Sequence, residues 1–504
     1  MIDRRAALSG LALLGSGAAP AWGQGSAASA SLDPFATMAW GKGPEGQRRA
    51  DLGNGQFRNP IFAGDHPDPA ICRAGDDYYL TFSSFDAYPG LVIWHSRDLV
   101  NWQPVTAALR VPIGSVWAPA LTCHQGRWYC YIPARTPAKR SIYVIHADDV
   151  HGPWSDPIDL GLPAHIDPEH VVDSDGSRWL FLSQGDRVRL SPDGLALAGP
   201  VEHVYDPWRY PDDWVVESFA PEGPKLTHRG DWWYMTLAVG GTAGPPTGHM
   251  VIMARSRQLA GPWEQCPHNP LIRTQSAAEK WWSRGHATLF EGPAGQWWMI
   301  YHGYENGYWT LGRQTLLEPV RWRADGWPAA VGGDLSGAIA LPRRLPAQAH
   351  GQPLSDDFRS DRMGTLWSFY DPGPDEANRL HRGDGVLHMA GKGTGPADCS
   401  PLTLVAGDQR YRIEVDIEIA GGAEAGLLLF YSRRLYAGLG LGPDGLVIHR
   451  YGLPRRRRDL AGTSRLRLAL TNDRNILTIH TSNDRGASWR KFDVQMEVSG
   501  YHHN

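Results

Sequence analysis

The sequence predicts an all-β protein, a five-bladed β-propeller followed by a concanavalin-like β-sandwich, and three observations carry that prediction. A Gly-containing turn followed by a burst of aromatic and aliphatic residues recurs five times. Between recurrences lie short alternating strands punctuated by Gly, Pro and Asp, the texture of antiparallel four-stranded blades. Beyond residue 354 the pattern changes to clean polar–apolar alternation with no helix of note.

The N-terminus, Met1 to about Gly23, has the parts of an export signal: Arg4-Arg5, an apolar stretch from Ala6 to Leu14 and a small-residue region ending Ala21-Trp22-Gly23. The paired arginines match the twin-arginine pattern in part. The apolar run is too short for a bilayer span, and nothing later is long enough either. Export to a periplasm or the outside is therefore expected, with no membrane partner. Residues 24–55, rich in Gly, Ala and Ser, read as a flexible lead-in.

The propeller is expected over 56–343. Its recurring phrase reads Gly75-Asp76-Asp77-Tyr78-Tyr79-Leu80, Gly126-Arg127-Trp128-Tyr129-Cys130, Gly176-Ser177-Arg178-Trp179-Leu180, Gly230-Asp231-Trp232-Trp233-Tyr234 and Gly295-Gln296-Trp297-Trp298-Met299. The first aromatics, Tyr78, Trp128, Trp179, Trp232 and Trp297, recur with a period of about fifty residues, one blade per repeat. These aromatics are expected to be blade cores. A linker over 344–353 precedes the sandwich of 354–504. There Tyr411–Ile419, Leu466–Leu470 and Ile476–Thr481 alternate as half-buried strands.

Composition narrows the function. With 49 basic against 53 acidic residues the chain carries no basic excess of the kind a nucleic-acid partner selects. The run Arg455–Arg458 reads as a solvated loop rather than an anion site. The 22 tryptophans favour a carbohydrate ligand, whose C–H faces pack on indole rings. The five cysteines form no zinc pattern or disulfide framework; Cys123 and Cys130 flank a turn and are read as free thiols before a disulfide.

The repeat also serves as a ruler. Ten to twelve residues before each marker stand Asp68, Trp117, Asp167, Glu222 and His286. The strand before the marker should be the innermost of its blade, so these side chains should converge at the axis. One of them alone reads as a turn aspartate or a strand-end glutamate. Three carboxylates, an indole and an imidazole in one phase do not, because burying several acids together is costly unless they are solvated, paired or sharing protons. Two carboxyls across a sugar pocket suit glycoside hydrolysis, one protonated to assist the leaving group and one ionised to activate water or attack carbon.

Together, Asn59-Pro60-Ile61, His66-Pro67-Asp68-Pro69-Ala70, Ser115-Val116-Trp117-Ala118-Pro119, Pro221-Glu222-Gly223-Pro224, Gly285-His286-Ala287 and Leu311-Gly312-Arg313-Gln314-Thr315 resemble glycoside hydrolase family 43. The second half is similar to the sandwich appended to the family's β-xylosidases. The resemblance implies an inverting hydrolase with Asp68 as general base, Glu222 as general acid and Asp167 as the residue that tunes and orients the acid. Phe85 and Trp117 match pocket-wall aromatics, and Arg313 matches a ligand for sugar hydroxyls. His286 matches an axial histidine that in some members faces calcium or water, so the resemblance implies no required cofactor and a calcium ion at the axis in some cases.

Glu169, beside Asp167, adds a charge that the family pattern lacks, and its direction is open after a proline. In similar β-xylosidases a sandwich segment helps close the pocket; here that segment is expected to be shortened. The expected function is an exported, exo-acting hydrolase releasing a pentose from plant-type oligosaccharide or polysaccharide, β-D-xylosidase first and α-L-arabinofuranosidase as the alternative. A non-catalytic carbohydrate-binding propeller, a protein-interaction platform and a phosphorylase are the other classes. Linkage and oligomeric state are left open.

Overall fold

A ring of five antiparallel sheets forms the first part of the computed structural model, which describes residues 38–346 and 348–502. The expected export segment and the lead-in as far as residue 37 lie outside the described residues. Each blade runs from axis to rim in chain order. The first strands are Ala70–Ala74, Ala120–His124, Glu169–Val172, Ser218–Arg229 and Trp281–Glu291, and each pairs with the strand bearing its marker. Successive first strands touch one another from blade 1 through blade 5, which places them at the axis. Among the described residues there is no α-helix, only four 3-10 turns.

The markers divide by position. Tyr78 and Trp128 are buried as expected, whereas Trp179, Trp232 and Trp297 are half-buried. Guanidinium groups cover these three: Arg187 lies 3.9 Å from the ring centre of Trp179, Arg255 4.5 Å from Trp232 and Arg229 5.9 Å from Trp297. A strand turns alternate residues to opposite faces. In blades 3 and 5 the neighbours Leu180 and Trp298 go inward instead, and in all three blades the marker indoles become lidded surfaces.

The ring closes through the N-terminal segment. Phe62 bridges Thr315 of blade 5, and the Asn59 side chain imitates a strand by giving and taking one 2.9 Å bond each with the main chain of Leu317. Upstream, residues 39–55 are not the loose lead-in expected. Gly41–Lys42 pairs with Arg48–Arg49, and Arg49 grips the Asn101 side chain at 2.7 Å. Gly and Ser content registers backbone freedom and misses such side-chain anchors.

The sandwich has two principal sheets. One orders Arg410–Glu418, Arg465–Asp473 and Ile476–Ser482; the other orders Ala425–Phe430, Tyr436–Gly442, Gly445–Arg450 and Leu453–Arg457. Leu439, Leu441, Ile448, Leu468, Leu470 and Ile479 form its centre. The arginine run is not a loop: Arg455–Arg457 occupy the edge strand, paired with residues 446–448. Charge on an exposed edge discourages further pairing. All five cysteines are free thiols. Propeller and sandwich share hydrogen bonds, Ala87–Tyr88 pairing with Ser368–Tyr370, and Ala39–Asn504 forms one unit. No helix among the described residues is long and apolar enough to cross a membrane.

Candidate active site

Asp68, Asp167 and His286 stand at the axial ends of blades 1, 3 and 5, and all three hold left-handed backbone, with φ of 56°, 54° and 60°. This region is disfavoured for residues with a Cβ but is entered more readily by Asp and His. In blade 4 the same kink falls one residue later, on Gly223 with φ 61°. A methyl group there would approach His286 Nε2 to 2.8 Å, so glycine is required twice over. The first strands of blades 4 and 5 also shift register around Glu222 and around Gly285, bulges of the kind that re-aim side chains.

The three carboxyls are in different electrostatic states. Burial alone would raise the Asp68 carboxyl. Instead Arg313 Nη1 donates to its Oδ1 at 2.8 Å, Ser83 Oγ donates to Oδ2 at 2.5 Å, and the group is held well below the usual carboxylate range. His302 Nδ1 lies 3.1 Å from both the Asp68 amide and its Oδ1. Having accepted the amide proton, that nitrogen has none to give the carboxylate, so Arg313 and Ser83 are its donors. His286 Nδ1 is 3.4 Å away, and burial pushes that imidazole down to about 3, leaving it neutral.

Asp167 and Glu222 are both raised, by burial first and then by neighbouring carboxylates. Asp167 accepts the Gly223 N–H at 3.0 Å and senses Lys225; burial and the charges of Asp167 and Asp68 push the Glu222 carboxyl up more than Arg313 pulls it down. Both acids are thus pushed toward the protonated form, while Asp68 is pushed the other way. Glu169 turns inward and pairs with Lys225 at 3.1 Å, which resolves the direction left open after Pro168.

The walls assemble by backbone contact. Phe85 bridges Val116, setting it beside Trp117, and the Arg313 guanidinium lies 5.7 Å from the Phe85 ring centre. Asp68, Asp167, Glu222, His286, Arg313 and Phe85 thus come together; Trp117 is half-buried at the same edge. A cleft of about 3300 Å³ runs along the seam with the sandwich and reaches Ser83, Phe85 and Arg313. The three carboxyls do not line it.

Ser83, His302 and Lys225 were not singled out in the sequence, yet the first two were within reach of the ruler. Fifteen or sixteen residues after the axial row stand Ser83, Pro133, Ser183, Ala238 and His302, each on its blade's second strand or within two residues of its end. Ser83 and Ser183 make matching main-chain bonds, to Pro67 at 3.2 Å and to Ile166 at 3.1 Å. A second row in phase was therefore legible.

The axial residues do not fit a calcium ion bound by the protein. His286 Nε2 and both nitrogens of His249 are buried without a hydrogen-bond partner, with Thr288 Oγ1 nearby in sequence. Calcium takes six to eight oxygens, and these donors are mainly imidazole nitrogens. No group of three or more His, Cys, Asp or Glu among the described residues is set to hold a metal.

A propeller whose axis gathers one carboxyl held low and two pushed up, with aromatic side chains at the same edge, has the machinery of a glycoside hydrolase. The model of glycosyl hydrolases family 43 matches residues 57–328, and the chain belongs to that family. It is 35% identical over 343 residues to a non-reducing-end α-L-arabinofuranosidase of Bacteroides ovatus, covering 62% of this chain and 61% of that protein. It is 29% identical over 385 residues to a xylan 1,3-β-xylosidase of Vibrio sp., covering 67% and 69%. Among solved structures, a family 43 protein from Bacillus licheniformis superimposes with a TM-score of 0.77 at 26% identity, covering 89% of this chain and 92% of that one. A xylan β-1,4-xylosidase from Bacillus halodurans gives 0.78 at 25%, covering 88% and 92%. Both matches extend through most of the sandwich as well as the propeller.

Proposed function

We propose that this hydrolase is exo-acting and inverting and releases a pentose, β-D-xylose first and α-L-arabinofuranose second, from plant-type oligosaccharides. Asp68 takes a proton from water as the water oxygen bonds to the anomeric carbon. The glycosidic C–O bond breaks, and Glu222 gives its proton to the departing oxygen. Asp167 keeps that proton on Glu222 through repulsion and orients the acid from the Gly223 turn. Arg313 holds Asp68 ionised and meets sugar hydroxyls; Phe85 and Trp117 flank the ring.

The single observation behind this reading is the axial cluster itself, with Arg313 Nη1 2.8 Å from Asp68 and Asp167 bonded at 3.0 Å to the amide of Gly223, the residue after Glu222. Inversion asks for a base–acid separation of about 6.5–9.5 Å, room for one water. The pentose assignment draws on the printed activities of the relatives above. Export rests on Met1–Gly23, and the chemistry is assigned to side chains with no cofactor.

NMR of the first-formed sugar tests the mechanism. Inversion of the anomeric centre is expected, and retention would remove Asp68 as a water-activating base. A panel of nitrophenyl pentosides and hexosides tests the sugar, with turnover of xyloside or arabinofuranoside expected above every hexoside.

A further inference from the structure

Glu305, at the end of the second strand of blade 5, has no exposed surface, and three hydrogen-bond donors and an ion-paired lysine meet its carboxylate. Oε2 accepts from Arg48 Nη1 at 2.8 Å and Gln314 Nε2 at 3.0 Å; Oε1 accepts from Gln409 Nε2 at 2.7 Å and pairs with the Lys280 ammonium, also at 2.7 Å. The partners come from four places: the N-terminal segment, the third strand of blade 5, the approach to its first strand, and the sandwich. Arg48 also bonds Gly407 O at 2.5 Å, while its amide donates to Asp408 at 2.9 Å. Although burial raises the Glu305 carboxyl, Arg48 and Lys280 outweigh it and bring it down to about 2.

Gln314 links this hub to the pocket. Its Oε1 accepts from Arg48 Nη2 at 2.8 Å and from the Gly64 amide at 3.2 Å, and its Nε2 is spent on Glu305. The preceding residue is Arg313. Strand neighbours face opposite ways, so Gln314 faces the hub while Arg313 faces Asp68 at 2.8 Å. Gly64 leads directly to Asp65, which accepts the Arg313 amide at 3.0 Å, and then to Asp68. One carboxylate thereby fixes both the strand carrying Arg313 and the segment carrying Asp68.

We propose that Glu305 is a positioning residue for hydrolysis, acting through Gln314 to set Arg313 against Asp68, and that Gln409 makes the sandwich part of that setting. This rests on the reading of Asp68 and Arg313 as working parts of the pocket. It does not depend on which sugar is released.

A double-mutant cycle on the full chain tests it, using Glu305→Gln, Arg313→Ala and the double variant. The substrate is whichever nitrophenyl glycoside the wild type hydrolyses, so a wrong pentose assignment shows in the choice of glycoside and a wrong positioning role shows in the cycle. Glu305→Gln should lower kcat/KM about tenfold when Arg313 is present and less than about twofold when it is absent. An equal loss in both backgrounds would assign Glu305 a structural role only and overturn the proposal. Gln409→Ala removes a single hydrogen bond to the hub and should repeat the dependence on Arg313 at about threefold. It decides the matter if Glu305→Gln does not fold, and thermal unfolding of each variant identifies that case.

Discussion

Two sets of acids differ in how many partners they own. Glu305 is one carboxylate with three hydrogen-bond donors and an ion-paired lysine, two cations among them, and its charge is fully answered. Asp68, Asp167 and Glu222 are three carboxyls sharing Arg313, Ser83, one amide and the field of Lys225. The first set spends its charge on holding segments together. The second pushes Asp167 and Glu222 up and Asp68 down, which is the condition for acid–base work. Unanswered charge marks the chemistry; answered charge marks the frame.

The largest expected effect is on catalysis. Glu222→Gln should lower kcat/KM by about 10²–10⁴-fold on oligosaccharides. It should cost far less on a dinitrophenyl glycoside, whose leaving group needs no proton. Asp68→Asn should cost the same on both. A Glu222→Gln loss independent of leaving group would erase the distinction between the two acids.

Stability should show the opposite ranking. Glu305→Ala leaves Arg48 and Lys280 buried without their shared anion and should destabilise the fold by about 3–5 kcal/mol in chemical denaturation. Because the folded carboxyl lies near 2 against an ordinary 4.5, its contribution is present above 4.5 and is lost as the pH falls toward 2. Glu305→Ala and wild type should therefore converge in stability in strong acid. A constant difference across that window would break the assignment of charge to the hub.

The smallest effect is a shift of profile. Asp167 has a folded pKa above its ordinary 3.8, so its contribution is complete in acid and is lost as the pH rises through the folded value. Asp167→Asn should consequently raise the melting temperature at pH 8 relative to wild type and change it less at pH 4. The same variant removes the charge that holds the proton on Glu222, so the basic limb of kcat/KM should move to lower pH. An unmoved limb would mean that burial alone sets the acid.

Much of the site was legible because a propeller repeats. Asp68, Trp117, Asp167, Glu222 and His286 came from the marker spacing, and the same spacing reaches Ser83 and His302 when extended along the second strands. Arg48, Lys280, Gln314 and Gln409 follow no period. They meet at Glu305 only because distant segments cross the seam, Arg48 standing 257 positions before Glu305 and Gln409 104 positions after it. The half-buried markers were hidden for a related reason: an indole at a core phase and one under an arginine lid read alike in a sequence, since the lid comes from another strand.

By itself, then, the sequence determined what recurs locally: five blades, their inner strands, the alternation of the sandwich and the row of residues at the axis. Local spacing fixes which way a strand side chain points, and that suffices to converge equivalent positions. The tertiary structure alone decided which carboxyls are pushed up and which down, where Glu169 turns and how the N-terminal segment and sandwich clamp blade 5. Those outcomes depend on burial and on distances of about 3 Å between groups far apart in the chain, where the charge terms are strongest.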